Sequence, residues 1–206
     1  MCALELVPGG TTLLSRCSCR WPACERRVPV LSAQSERARA PRGDALPLAT
    51  VGSVEAIHIA TAAGAPVRPV EEIRAIAGVG LEGDRYADGR GHYRDGRVSR
   101  DLTLIEAEAV EALAREHGIA LAPGETRRNL TTRGVDLNEL VGRRFWVGEI
   151  LCLGTRLCEP CQYLAELTGK PLLRPLVRRG GLRADIVRGG LIRVGDQLRP
   201  AEETER

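Results

Sequence analysis

Gly52-Ser-Val-Glu-Ala-Ile-His-Ile-Ala60 alternates apolar and polar residues, the period of a half-buried strand. Gly64 and Pro66 interrupt that pattern, and Glu71 to Ala77 resumes it until Gly78 and Gly80 end it. Asp101 to Ile105 is short and apolar and reads as a buried strand. Glu106 to His117 then places Val110, Leu113 and Ala114 at helical spacing, with Gly118 at the C-cap position. Further on, Arg144–Val147 and Ile150–Leu153 flank Gly148-Glu149 as a hairpin. Ala165–Leu167 and Pro171–Val177 are expected as short helices. Leu182–Val187 and Leu191–Val194 are expected as strands around Gly189-Gly190, and Gly195-Asp196 turns the chain into a last short strand. Many short strands, glycine turns and one clear helix predict a mostly β, barrel-like domain.

Residues 1–50 differ. They mix Arg, Pro, Ser and Cys without periodicity and read as a disordered tail or as an extension upstream of a non-Met start. Cys17, Cys19 and Cys24 leave a zinc site open there, but without a paired second cluster of ligands. The expected organisation is therefore a tail over 1–50, one domain over 51–200, and a short C-terminal tail over 201–206.

Composition narrows the function classes. The chain has 206 residues, 43% hydrophobic and 28% charged, enough for a packed core. Aromatics make up 3%, so that core must be aliphatic. Residues 1–50 hold seven arginines against four acids; because the whole chain is +3, residues 51–206 balance to zero. A nucleic-acid partner is not expected from a folded part without basic surplus. No apolar run approaches the roughly 18 residues that suggest a membrane span, and no basic-then-apolar start suggests a secretory signal. A cytoplasmic protein with no membrane partner is the expectation. Seven cysteines, an odd number, fit reduced thiols better than a disulfide scaffold.

Cys158-Glu-Pro-Cys161 is the sharpest chemical feature. It follows a strand and precedes a possible helix, whose free N–H groups would stabilise a thiolate at Cys161. Glu159 disfavours a second negative charge at Cys158. Cys161 is therefore expected to be the more nucleophilic thiol, with Cys158 able to resolve its oxidised form. Three other readings stay open: half a zinc site completed by Cys152, a thioredoxin-type pair lacking its βαβ context, and two merely buried thiols. Gly80-Leu-Glu-Gly-Asp-Arg-Tyr86 lacks the spacing of a nucleotide P-loop and reads as a turn holding an Asp84–Arg85 pair. Arg127-Arg-Asn-Leu-Thr-Thr-Arg-Gly134 offers donors suited to phosphate, or simply a solvated strand end. His58 reads as a packed or surface histidine. His92 sits in a Gly- and Arg-rich loop expected to be mobile rather than catalytic.

Taken in order, these segments resemble the MOSC family, named for the C-terminal domain of molybdenum cofactor sulfurases. The resemblance rests on Gly80–Tyr86, Arg128-Asn-Leu130 with Gly134-Val-Asp-Leu137, Gly142-Arg-Arg-Phe-Trp-Val-Gly148, Glu159-Pro-Cys161, Arg179-Gly-Gly-Leu-Arg-Ala184 and Gly195-Asp196. It covers nearly all of 52–200. It implies a MOSC-type β-barrel fold and a cysteine, here Cys161, that ligates molybdenum or carries sulfur. It further implies a molybdopterin-type molybdenum cofactor held by Arg128, Asn129 and Thr131, with Arg85 and Arg156 as additional candidates from position and charge. Catalysis would then fall to Cys161 and Cys158, either as an oxidoreductase acting on N-hydroxylated substrates or as a carrier of sulfur or cofactor. A redox-donor or sulfur-donor protein would be the partner. The only lysine, Lys170, lies in the loop Thr168-Gly-Lys-Pro171, so pyridoxal phosphate is not expected in this chain.

Overall fold

The computed structural model describes residues 51–92 and 101–202. The readings made for residues 1–50 and 203–206 lie outside them. Eleven strands and two α-helices follow in chain order. They are β1 (Gly52–Ile59), β2 (Arg68–Val70), β3 (Glu72–Ile76), β4 (Gly80–Leu81), β5 (Leu102–Glu106), α1 (Ala107–His117), β6 (Leu130–Arg133), β7 (Arg144–Val147), β8 (Ile150–Leu157), α2 (Gln162–Thr168), β9 (Leu182–Arg188), β10 (Gly190–Arg193) and β11 (Gln197–Pro200). A single 3-10 turn, Leu137–Leu140, precedes β7.

Seven strands run in the order β11-β7-β8-β9-β5-β6-β1, and β1 pairs back onto β11 to close a barrel. One edge of β1 serves twice: Gly52 and Ser53 face β11, and Ile57 to Ile59 face β2. The other edge takes β6, with a register shift between Val54 and Ala56. A separate three-stranded sheet, β10-β3-β4, completes the domain. Closure matters physically because it leaves no open edge in the ring for another chain to pair with.

The barrel is filled by the expected aliphatic set. Val54, Ile57, Leu102, Leu104, Leu130, Val147, Ile150, Leu182 and Ile192 are buried, around Phe145, the chain's only phenylalanine. Cys152 belongs to this core and is fully buried. Burial pushes its thiol well above the usual range, with Asp101 and Asp185 adding to the effect. A zinc site that recruits Cys152 is thereby corrected: the residue is packed in the barrel core, and it joins no cluster of metal-ligating side chains among the described residues.

The helices differ in detail from the sequence reading. α1 begins at Ala107, with Glu106 at the N-cap, and ends at Gly118 in the left-handed region. Glu106 does not cap its own helix; its carboxylate accepts the Leu137 N–H at 2.7 Å. α2 is longer than expected, spanning Gln162–Thr168. Residues 171–177, expected as a helix, form successive turns instead. Pro175 lacks the N–H an α-helix would need there. These turns still bury Leu172 and Leu176 with Leu113 of α1 and Leu164 of α2, and this second small core holds Cys161 at its margin.

Candidate functional site

The two cysteines of Cys158-Glu-Pro-Cys161 stand where β8 gives way to α2. Cys161 is the N-cap residue of α2, in extended conformation, and its carbonyl accepts the Leu164 and Ala165 N–H groups. Its thiol makes no cap bond and is half-buried. Cys158 is 1% exposed. Its N–H donates to the Gly181 carbonyl at 2.7 Å, and its own carbonyl accepts Arg128 Nη2 at 2.9 Å. The expected helix start at Gln162 is present, and Cys161 is the more exposed of the two thiols.

Both cysteines line a small cleft with about 40 Å³ of room. Arg85, Arg127, Arg128 and Arg183 share its wall with Tyr86, His92, Thr103 and Tyr163; Glu159 is the only acid among the described lining residues. Asp84, behind the wall, accepts the Ala60 N–H at 3.1 Å, the Tyr86 N–H at 3.2 Å and Arg85 Nη1 at 3.0 Å. Arg85 Nη2 donates to the Arg127 carbonyl at 3.0 Å. Arg85 is thus paired with a carboxylate and donates to one carbonyl. Arg128 is also engaged: Nε reaches the Gly180 carbonyl, Nη1 the Thr126 carbonyl and Nη2 that of Cys158.

Two other guanidinium groups are left incomplete. Arg127, held at φ +59°, donates Nη1 to the Ala65 carbonyl at 2.8 Å, while its Nη2 is buried with no partner among the described residues. Burial first, and then the nearby Arg85 charge, pull its pKa below the usual arginine range. Arg183 Nη1, on β9, is likewise buried without a partner. Buried donors without acceptors are rare in folded proteins, so the cavity has unmet capacity for an anion.

Of the residues singled out in the sequence, the fold brings Cys158, Cys161, Arg85 and Arg128 to this cleft. Asn129 lies behind it, accepting from the Thr103 N–H and hydroxyl and donating toward the His58 carbonyl. Thr131 is half-buried within β6, and Arg156 is exposed on β8; neither lines the cleft. Arg127 opens the stretch read as suited to phosphate without being chosen itself, His92 is read from sequence as part of a mobile loop rather than a site, and Arg183 and Tyr163 are given no role there. The rings of His92 and Tyr163 stack at 3.8 Å and 3°. Arg183 carries a readable signal of its own, an arginine inside the apolar run Leu182–Val187. Lys170 is not at the cleft; its Nζ bridges both oxygens of Glu125 at 2.6 and 2.7 Å, tying the end of α2 to the loop that presents Arg127. Among the described residues, no three His, Cys, Asp or Glu side chains gather as a metal cage, and no helix is long and apolar enough to cross a membrane.

The sequence profile of the MOSC domain matches residues 88–199, more than half of the chain. The chain belongs to the MOSC domain family. Solved structures agree at the level of fold. The YUAD protein of Bacillus subtilis is 19% identical with a TM-score of 0.60, over 72% of this MOSC chain and 94% of its own. YiiM of Geobacillus stearothermophilus is 16% identical with a TM-score of 0.55, over 73% and 75%. YiiM of Escherichia coli is 20% identical with a TM-score of 0.54, over 73% and 70%. Among curated proteins, none matches significantly.

Proposed function

We propose that this MOSC protein binds a molybdenum cofactor, with Cys161 as the metal's protein ligand, and acts as an oxidoreductase on N-hydroxylated substrates. The observation that carries the reading is the half-buried Cys161 thiol at the edge of an arginine-rich cleft. The donor set fits the group. A thiolate is a soft ligand suited to such a metal. The unpartnered Arg127 and Arg183 N–H groups suit a phosphate-bearing pterin.

When bound, the cofactor supplies the redox chemistry. The protein's part is positional. The second small core and the Lys170–Glu125 pair fix α2, and so Cys161, against the loop that carries Arg127. The Asp84–Arg85 pair holds the opposite wall. The electron donor is a separate protein in this reading.

Protein produced in a cofactor-competent host should carry molybdenum and a fluorescent pterin, and Cys161→Ser should lose the metal. Absence of both molybdenum and pterin at any occupancy ends the proposal. A second reading, a carrier of sulfur or cofactor, is favoured by the two thiols on one cleft. A carrier would load its cargo but show no turnover with any electron donor.

A further inference from the structure

The cleft offers only about 40 Å³ of room. At about 10–15 Å³ of such space per water, it holds about three waters, the size of a small oxyanion. Its wall carries two thiols and two guanidinium groups with a buried, unpartnered N–H-bearing nitrogen each. The other two arginines already have partners: Arg85 is paired with Asp84, and Arg128 donates to three carbonyls.

We propose that Arg127 and Arg183 form an oxyanion subsite for a small sulfane-sulfur donor of the thiosulfate class, from which Cys161 takes the outer sulfur. The inference rests on the sulfur-carrying reading and names its donor. In the step, the Cys161 thiolate attacks the outer sulfur of thiosulfate. A new S–S bond forms to Cys161, the S–S bond of thiosulfate breaks, and sulfite leaves with the bonding electron pair. Charge balances: a thiolate and a dianion give a persulfide anion and a sulfite dianion. No outside oxidant or reductant is consumed. The two guanidinium groups hold the sulfonate oxygens and stabilise the departing sulfite.

The test uses the full-length, cofactor-free protein with thiosulfate as probe. Sulfite should be released, and peptide mass mapping should find one added sulfur on Cys161. Arg127→Gln and Arg183→Gln should each slow sulfite release about tenfold, the worth of a charge-assisted hydrogen bond. Alkylation separates this role from a structural one. In the double variant the ratio of iodoacetate to iodoacetamide rates at Cys161 should fall about tenfold, with the neutral reagent changed by less than about twofold. An unchanged ratio, or no sulfur on Cys161, overturns the proposal. Molybdenum content of protein from a cofactor-competent host tests the cofactor reading separately. Loss of molybdenum in the double variant, without any thiosulfate reaction in the wild type, assigns the pair to the cofactor's phosphate and also overturns it.

Discussion

At the scale of single residues, Arg128 shows how a side chain that lines the cleft can also tie the fold together. Its place in Arg128-Asn-Leu130 suggested a phosphate ligand. Its guanidinium joins the Gly180, Thr126 and Cys158 carbonyls, tying the chain before β6 to segments on either side of the cysteines. Arg128→Ala leaves three carbonyls short of a donor, and should cost about 2–4 kcal/mol by denaturant titration. A loss under about 1 kcal/mol would mean that water replaces the clamp. His58 makes a second case. It is 4% exposed, its Nδ1 has no partner among the described residues, and burial lowers its pKa below 6.5. Below pH 6.5 the unfolded chain takes up a proton that the folded chain refuses, so this group removes stability as pH falls. The slope approaches about 1.4 kcal/mol per pH unit while only the unfolded form is protonated. His58→Gln should flatten the decline of unfolding free energy between about pH 6.5 and pH 5. The same slope in the variant would place the acid sensitivity elsewhere.

At the scale of elements, periodicity made β1, β3, β5, α1, the β7–β8 hairpin and β9 to β11 legible. It missed β2 and β4, which have three and two residues, too few for any period. It also left β6 undecided, because Leu-Thr-Thr-Arg looks like a solvated end. What makes it a strand is tertiary: it runs parallel to β5, with α1 as the connection, and Leu130 is fully buried. The position of Cys161 at the start of a helix was legible because Cys158-Glu-Pro-Cys161 follows a strand and precedes apolar residues at helical spacing. Arg127 and Arg183 were not, because charge says nothing about which guanidinium the fold will leave incomplete. Gly181 is the element-scale test. It stands at the start of β9 with φ +102°, and a Cβ there would collide with the Leu104 carbonyl of β5. Gly181→Ala should cost about 2–4 kcal/mol from backbone strain and the forced separation of β9 from β5. The same displacement moves the Cys158 N–H, which donates to Gly181. Iodoacetamide labelling of Cys158 should therefore rise in this variant. Unchanged stability and unchanged labelling would show that the two strands part without consequence for the site.

At the scale of the whole molecule, the ring is joined by a short seam between the first and last strands. Gly52 faces Leu198 and Ser53 faces Gln197, supported by Val54 N–H to the Asp196 carbonyl and Gly195 N–H to the Val54 carbonyl. This contact is non-local, so loop-closure entropy must be met before it forms, and barrels closed in this way fold slowly. β11 does more than close the ring. Leu198 is buried in the core opposite Val147, and Arg199 and Pro200 continue the ladder along Trp146 and Phe145 of β7. A chain ending at Asp196 would lose both partners of β11 at once. The edges of β7 and β1 would then be bare, flanked by the apolar side chains that Leu198 covered. Such edges recruit other chains. The shortened protein should elute as aggregate on size-exclusion chromatography and lose its cooperative thermal transition, whereas the single change Arg199→Ala should leave both nearly as in the full chain. A monomeric, cooperatively unfolding product from the shortened chain would show that the six-strand remainder is stable alone, and that the seam is an addition to the barrel rather than its closure.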